Sequence, residues 1–249
     1  MLTVLPVKRI PDIKKDDDLA KIIVSALESD DDELQKGDIL VIAQKVVSKA
    51  EGRIQALSSV KPSAFAIGMA RAMDKDPRHL EIILRESKNI VRMRGGHLIT
   101  ETRHGFICAN SGVDMSNVGK GGEEVTLLPK DPDVSAERIR SGIRRVTGLD
   151  VPVVITDTFG RAWRLGHVNF AIGVSGLKPI KDYRGTRDMY RRVLRVTEIA
   201  VADELASAGE LVMNKADRVP VAIVRGYGYA RGRGSAQQLV RPEELDLFR

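Results

Sequence analysis

Asp157 and Thr158 close an apolar run, Val153-Val154-Ile155-Thr156, and Arg161 and Arg164 follow directly. A carboxylate and a hydroxyl are hard oxygen donors, suited to magnesium or manganese. Guanidinium forks match phosphate oxygens. The plainer alternative is an Asx turn at a strand end with two surface arginines. A second carboxylate, Asp114, lies among the small polar residues Asn110-Ser111-Gly112-Val113-Asp114-Met115-Ser116-Asn117. With Asp157 it would supply two carboxylates for a cation pair on nucleotide phosphates; alone it reads as a polar turn. Gln44-Lys45-Val46-Val47-Ser48-Lys49 brings two lysines and a serine to the exit of an apolar strand, either to meet a phosphate or as a charged strand exit.

Other motifs point nowhere specific. Gly119-Lys120-Gly121-Gly122 lacks the upstream glycine and the following Ser/Thr of a phosphate-binding P-loop. Gly226-Tyr227-Gly228-Tyr229-Ala230-Arg231 starts like a dinucleotide fingerprint and ends in arginine. There is no His-Glu-x-x-His and no Gly-x-Ser-x-Gly. The four histidines are scattered, and His79 reads as structural. The tract 225–234 has the composition of an Arg-Gly RNA-binding segment with stacking tyrosines. It is short and bracketed by an apolar strand and by the apolar anchors of 237–248, so it reads as a loop within a globular domain.

The elements that must position these residues follow from periodicity and caps. Strands are expected at 2–7, 39–47, 89–94, 97–102, 105–109, 124–128, 151–157, 168–174 and 219–224, with 89–102 a hairpin over Gly95-Gly96. Helices are expected after Asp16–Asp18, from Pro62 to Met73, from Asp76-Pro77 to about Ser87, from a cap at Asp133 to Gly148, and from Thr186 to about Ala208. Strands and helices mix without strict alternation, so the class is α+β (mixed α/β). Residues 1–249 read as one unit, with two intertwined subdomains meeting near 75–90.

The chain has 249 residues, 43% hydrophobic and 30% charged, which fits a globular protein with a substantial core. Aromatics are only 4%, so aliphatic side chains must build that core. Net charge is +6, but residues 138–195 hold 13 Lys/Arg against four Asp, so this segment has +9 and the remainder −3. Such a segment, interleaved with glycines and apolar residues, suggests a lined cleft for an anion. The single cysteine, Cys108, excludes a disulfide framework and a cysteine-rich zinc site. No apolar run approaches the roughly 20 residues of a membrane helix, and the N-terminus does not read as a leader. The expected location is the cytoplasm.

Taken together, the stretches 5–13, 37–52, 107–117, 155–169 and 210–226 resemble the coenzyme F420-0:L-glutamate ligase (F420:gamma-glutamyl ligase) family, in its stand-alone archaeal form. The resemblance implies an unusual mixed-sheet fold, neither P-loop nor Rossmann. It implies a GTP-dependent ligase that adds L-glutamate to the terminal carboxylate of the deazaflavin coenzyme F420-0, then a second glutamate through the first one's gamma-carboxylate. It implies Mg2+ or Mn2+, two ions, with help from K+, and a homodimer with the active site near the interface, acting on no nucleic acid and no membrane. Asp114, Asp157 and Thr158 match its metal positions. Asn117 matches a nucleotide contact. Pro11, Asp12 and Ile13, with Gln44, Lys45 and Lys49, fall in stretches resembling its GTP-binding segments. So do Met213, Asn214, Lys215, Ala216 and Asp217, where Asn214 stands in place of an expected glycine; a positive φ there would suit Asn best among the replacements. Arg161 and Arg164 are candidates for phosphate contact or charge stabilisation. The competing readings are a non-catalytic RNA-binding protein and a metal-dependent nucleotide phosphohydrolase.

Overall fold

Ile39, Leu40, Val41 and Ile42 are completely buried, and so are Val153, Val154 and Ile155. Strands buried on consecutive residues must be covered on both faces. In the computed structural model, which describes residues 1–116 and 122–247, these two runs form β2 (Ile39–Ala43) and β8 (Val153–Arg161), paired in parallel. They lie within a five-stranded sheet that also contains β1 (Thr3–Val7), β9 (Arg164–Ser175) and β12 (Val221–Arg225), in the order β1-β12-β2-β8-β9. All other neighbours in this sheet are antiparallel. The class is α+β with mixed sheets, as expected.

Three helices supply the covering layers. Helix α1 (Leu19–Glu28) is capped by Asp18, whose side chain accepts the Lys21 N–H. Helix α5 (Pro132–Thr147) packs on α1, with Gly142 so close to Ala20 that a Cβ would clash. Helix α6 (Val201–Met213) lays its Gly209 backbone on the Val41 side chain. Asp38 and Arg225 tie β2 to β12 through two hydrogen bonds of 2.9 Å, with Asp38 only 1% exposed.

A second apolar cluster, between Leu57 and Leu127, packs helices α3 (Ala64–Met73) and α4 (Pro77–Glu86) against further strands. Those strands are β3 (Ile54–Ala56) with β7 (Glu124–Thr126), and the antiparallel set β4 (Ser87–Arg94), β5 (His97–Thr102) and β6 (Ile107–Ala109). Residues on both sides of 75–90 contribute to this cluster. Among the described residues no helix is long and apolar enough to cross a membrane.

Three sequence expectations are corrected. The strand expected to run through Val47 stops at Ala43, and Gln44–Ala50 form a helix, α2. The cap of α5 is Asp131, which accepts the Val134 N–H; Asp133 instead accepts from Val174 N, Ala236 N and Ser235 Oγ. The helix expected from Thr186 begins only at Val201. Ahead of it the Asp188 carboxylate captures the Tyr190 and Arg192 N–H groups, and Arg191 adopts φ +66°. That local side-chain bonding competes with helix formation. The segment instead forms a short ladder, β10 (Lys181–Asp182) with β11 (Glu198–Ile199). The tract 225–234 is a loop packed into the fold: Tyr227 and Tyr229 lean on the main core, and the Ala230 carbonyl accepts the Lys178 N–H.

Candidate functional site

Strand β8 sends alternate side chains to opposite faces. In the ladder with β9, Asp157 is opposite Phe170 and Thr158 is opposite Asn169. Asp157 therefore shares a face with Phe159 and Phe170, and Thr158 points the other way. A bulge at Ile172 sets this register, since Ile155 pairs with Gly173 while Thr156 pairs with Ala171.

On the Asp157 face, the buried carboxyl is pushed up to about 6, mainly by desolvation. The Thr158 N–H opposes that shift, the Asp114 charge adds to it, and Lys45 and Lys215 work against it. Asp114 is also penalised by burial, but Lys45 and the Ser116 donors prevail and lower its pKa. Lys45 Nζ lies 2.8 Å from Asp114 Oδ2 and 2.6 Å from Ser116 Oγ. Ser116 N and Oγ both donate to Asp114, at 2.7 and 2.9 Å.

Two carboxylates brought together in a half-buried place repel each other, which a divalent cation relieves. Both are hard oxygen donors. Magnesium is commonly held by one or two carboxylates plus substrate phosphates rather than by an all-protein cage. Among the described residues, no group of three His, Cys, Asp or Glu gathers around one point. Two neighbouring carboxylates are a donor set whose chemistry fits a hard divalent cation such as Mg2+ or Mn2+.

On the opposite face, Lys215 Nζ donates to Thr158 Oγ1 at 2.7 Å and pairs with Glu210 at 2.7 Å. Thr158 donates to Asn169 Oδ1 at 2.7 Å, and Asn169 Nδ2 donates to Glu210 Oε2 at 2.9 Å. Every donor and acceptor in this ring is thereby oriented. The structure brings Asp114 and Asp157 together and sets Thr158 in a separate network that meets them at Lys215.

Residues 8–226 match the family described as F420-0:Gamma-glutamyl ligase. The chain belongs to this family. It is 48% identical to the coenzyme F420:L-glutamate ligase of Methanothermobacter thermautotrophicus, covering 100% of this chain and 99% of that one. It is 45% identical to the ligase of the same name from Methanopyrus kandleri, over 100% and 98% of the two chains. The corresponding ligase of Archaeoglobus fulgidus is 42% identical over 99% and 96%.

In this F420-0:gamma-glutamyl ligase family member the remaining expected residues divide into two groups. Lys49 pairs with Asp12 at 2.7 Å, joining α2 to the 11–13 loop, whose Ile13 is buried in the main core while Pro11 is exposed. The Arg218 charge also bears on Asp12, so the 213–218 turn lies nearby. Asn214 has φ +49° with ψ −176°, outside the left-handed helical region that Asn tolerates and in a conformation that favours glycine, and its amide donates to Asp217 at 2.9 Å. Met213 is buried at the end of α6, and Ala216 is exposed in the turn. Gln44 is buried; its Oε1 accepts from Ser48, and its Nε2 has no partner among the described residues. These segments converge around the exits of β2 and β8, the usual ligand side of parallel strands.

Arg161 and Arg164 do not join them. They sit at the tip of the β8–β9 hairpin, where Arg161 Nη2 donates to the Leu165 carbonyl at 2.8 Å. Four residues of extended strand, roughly 13 Å, separate Arg161 from Asp157. Asn117 lies outside the described residues. Asn169 and Glu210 were missed as site residues by sequence reasoning. Only the hairpin register shows that Asn169 faces Thr158.

Proposed function

We propose that this chain joins L-glutamate to the terminal carboxylate of coenzyme F420-0 at the expense of GTP, with GDP and phosphate released, and then adds a second glutamate through the first one's gamma-carboxylate. The observation that carries this reading is the Asp114–Asp157 pair, set between Lys45 and Lys215. Family membership supplies the substrates, and the relatives' names supply the reaction.

The chemistry that Mg2+ or Mn2+, two ions in this reading with K+ as a helper, would supply when bound is neutralisation of the charge that develops in phosphoryl transfer. Asp114 and Asp157 would hold the divalent ions. Lys45, Lys49 and Lys215 offset phosphate charge, and the free Gln44 Nε2–H is a donor left for the nucleotide. A carboxylate oxygen of the coenzyme attacks the γ-phosphorus, the bond to GDP breaks, and an acyl phosphate results. The glutamate amine then attacks the acyl carbon, the carbon–oxygen bond to phosphate breaks, and the amine proton passes to solvent or base. Water must be excluded while the acyl phosphate lasts.

The reading includes a homodimer. The hairpin tip and the segment after β10 expose Trp163, Leu165, Met189 and Val196, each more than 80% accessible. A second copy would cover such an apolar arm and set Arg161 and Arg164 against its partner. Light scattering measures the assembly. The decisive assay combines protein, GTP, Mn2+, F420-0 and glutamate, read by mass spectrometry. Glutamyl additions coupled to GDP support the reading. Phosphate release without glutamate would replace it with a phosphohydrolase.

A further inference from the structure

Phe106, Phe159 and Phe170 are three of only five phenylalanines in the chain, and they meet in one place. The Phe159 and Phe170 rings stack at 5.7 Å and 25°, and Phe106 leans on Phe159 at 6.4 Å and 48°. They wall a cavity of about 270 Å³, closed on another side by Leu239 and Val240, with Asp203 at its margin. Nothing in the reaction above uses it. Sites for whole ligands run about 300–1,000 Å³, so this one is sized for a ring rather than an entire coenzyme.

Its polar lining is Asp203, Arg241 and Asp246, with Arg241 turned to the Leu245 carbonyl. Asp203 spends Oδ1 on the Ala171 N–H at 2.9 Å, and Oδ2 has no partner among the described residues. An acceptor beside aromatic faces suits a flat heterocycle with an N–H on its edge. The position fits as well. Phe159 lies two residues beyond Asp157 on the same face of β8, roughly 7 Å along the strand.

We infer that this cavity seats the flat deazaflavin ring of the acceptor coenzyme, with its faces on the phenylalanines and its imide N–H donated to Asp203 Oδ2. The ring's carboxylate-ended tail then runs along β8 toward Asp114 and Asp157. This assignment rests on the ligase reading, and deepens it by naming where the substrate is gripped.

The test uses two variants of the full chain. V240W fills the cavity, and D203N keeps an acceptor for Ala171 N–H while turning the open position into a donor. The probe is the deazaflavin nucleoside that lacks phosphate and carboxylate, followed by fluorescence anisotropy. The nucleoside should bind wild type saturably and at least tenfold more weakly to both variants. The KM for F420-0 should rise by a similar factor, with the KM for GTP and Mn2+ binding unchanged. Wild-type affinity in two folded variants overturns the ring site, and so does failure of wild type to bind the nucleoside. If wild type glutamylates F420-0 and neither variant alters its KM, only the ring site fails. If wild type binds the nucleoside but adds no glutamate, the ligase reading fails and the ring site stands.

Discussion

The Lys45 ammonium lies 2.8 Å from the Asp114 carboxylate, and through it helix α2 of the main sheet grips the polar turn that follows β6. The pair lowers the Asp114 pKa despite burial, while Asp157 beside it is raised. Two neighbouring carboxyls are thus set to opposite sides of their ordinary range, one dependably charged and one held back.

That inequality gives a pH signature. Asp157 keeps its proton up to about pH 6. Divalent metal competes with this proton, so Mn2+ affinity should be full above about pH 7 and fall roughly tenfold per unit below 6. For stability the sign is reversed from the usual carboxylate. The folded state binds more protons than the unfolded one between the ordinary carboxylate range and about 6, so stability declines as pH rises through that window. Asp157→Asn should melt higher than wild type at pH 7.5 and lose turnover by on the order of a hundredfold or more. Calorimetry and the coupled GDP assay check both halves, and undiminished turnover would remove Asp157 from the site.

Lys215 joins the Thr158 network to the carboxylate face. Lys215→Met removes a charge-assisted bond to Thr158 and leaves Glu210 without its cation. The KM for GTP should rise about 10–100-fold, the worth of such a bond, with little loss of melting temperature because the lysine is mostly exposed. A melting loss without a change in KM would make Lys215 structural only.

Arg225 forks onto Asp38 at the buried start of β2. Asp38→Ala strands that guanidinium, which is itself only partly solvated. A cost of about 2–3 kcal/mol is expected for a charged group left without its partner, or a melting drop of about 5–10 °C, with KM values unchanged in the folded enzyme. A neutral effect on melting would show that the pair adds nothing.

Cys108 is buried, and desolvation together with the Asp157 charge pushes its thiol up to about 12. Thiolate at pH 7 is then roughly one part in 10⁵. Maleimide labelling should be negligible in native protein and rapid in guanidinium. Equal rates in both would contradict the burial.

Much of this was legible from sequence where local chemistry decides. Asp18 and Asp76 cap their helices, and Gly95-Gly96 turns its hairpin, as residue type alone indicates. Pro132 held the signal that Asp131, not Asp133, is the cap, since proline favours the first helical position. The β-branched Val46 and Val47 looked like a continuing strand, but packing of α2 overrode propensity. At Met189, Val193 and Val196 the apolar spacing imitated a helix that Asp188 prevents. The site divides similarly. Asp114 and Asp157 announced themselves, whereas Asn169 and Glu210 became visible only through register and helix placement, which are long-range facts.

The bulge at Ile172 works as a frame setter. Above it, Gly173 meets Pro132 of α5; below it, parity is reversed, so that Phe170 reaches the Asp157 side and Asn169 the Thr158 side. Removing that one residue would leave the charge unchanged and cost one buried isoleucine, yet it would exchange every partner that β9 offers β8 below the bulge. The ring wall would be traded for the polar network, and the enzyme would keep its parts while losing their correspondence.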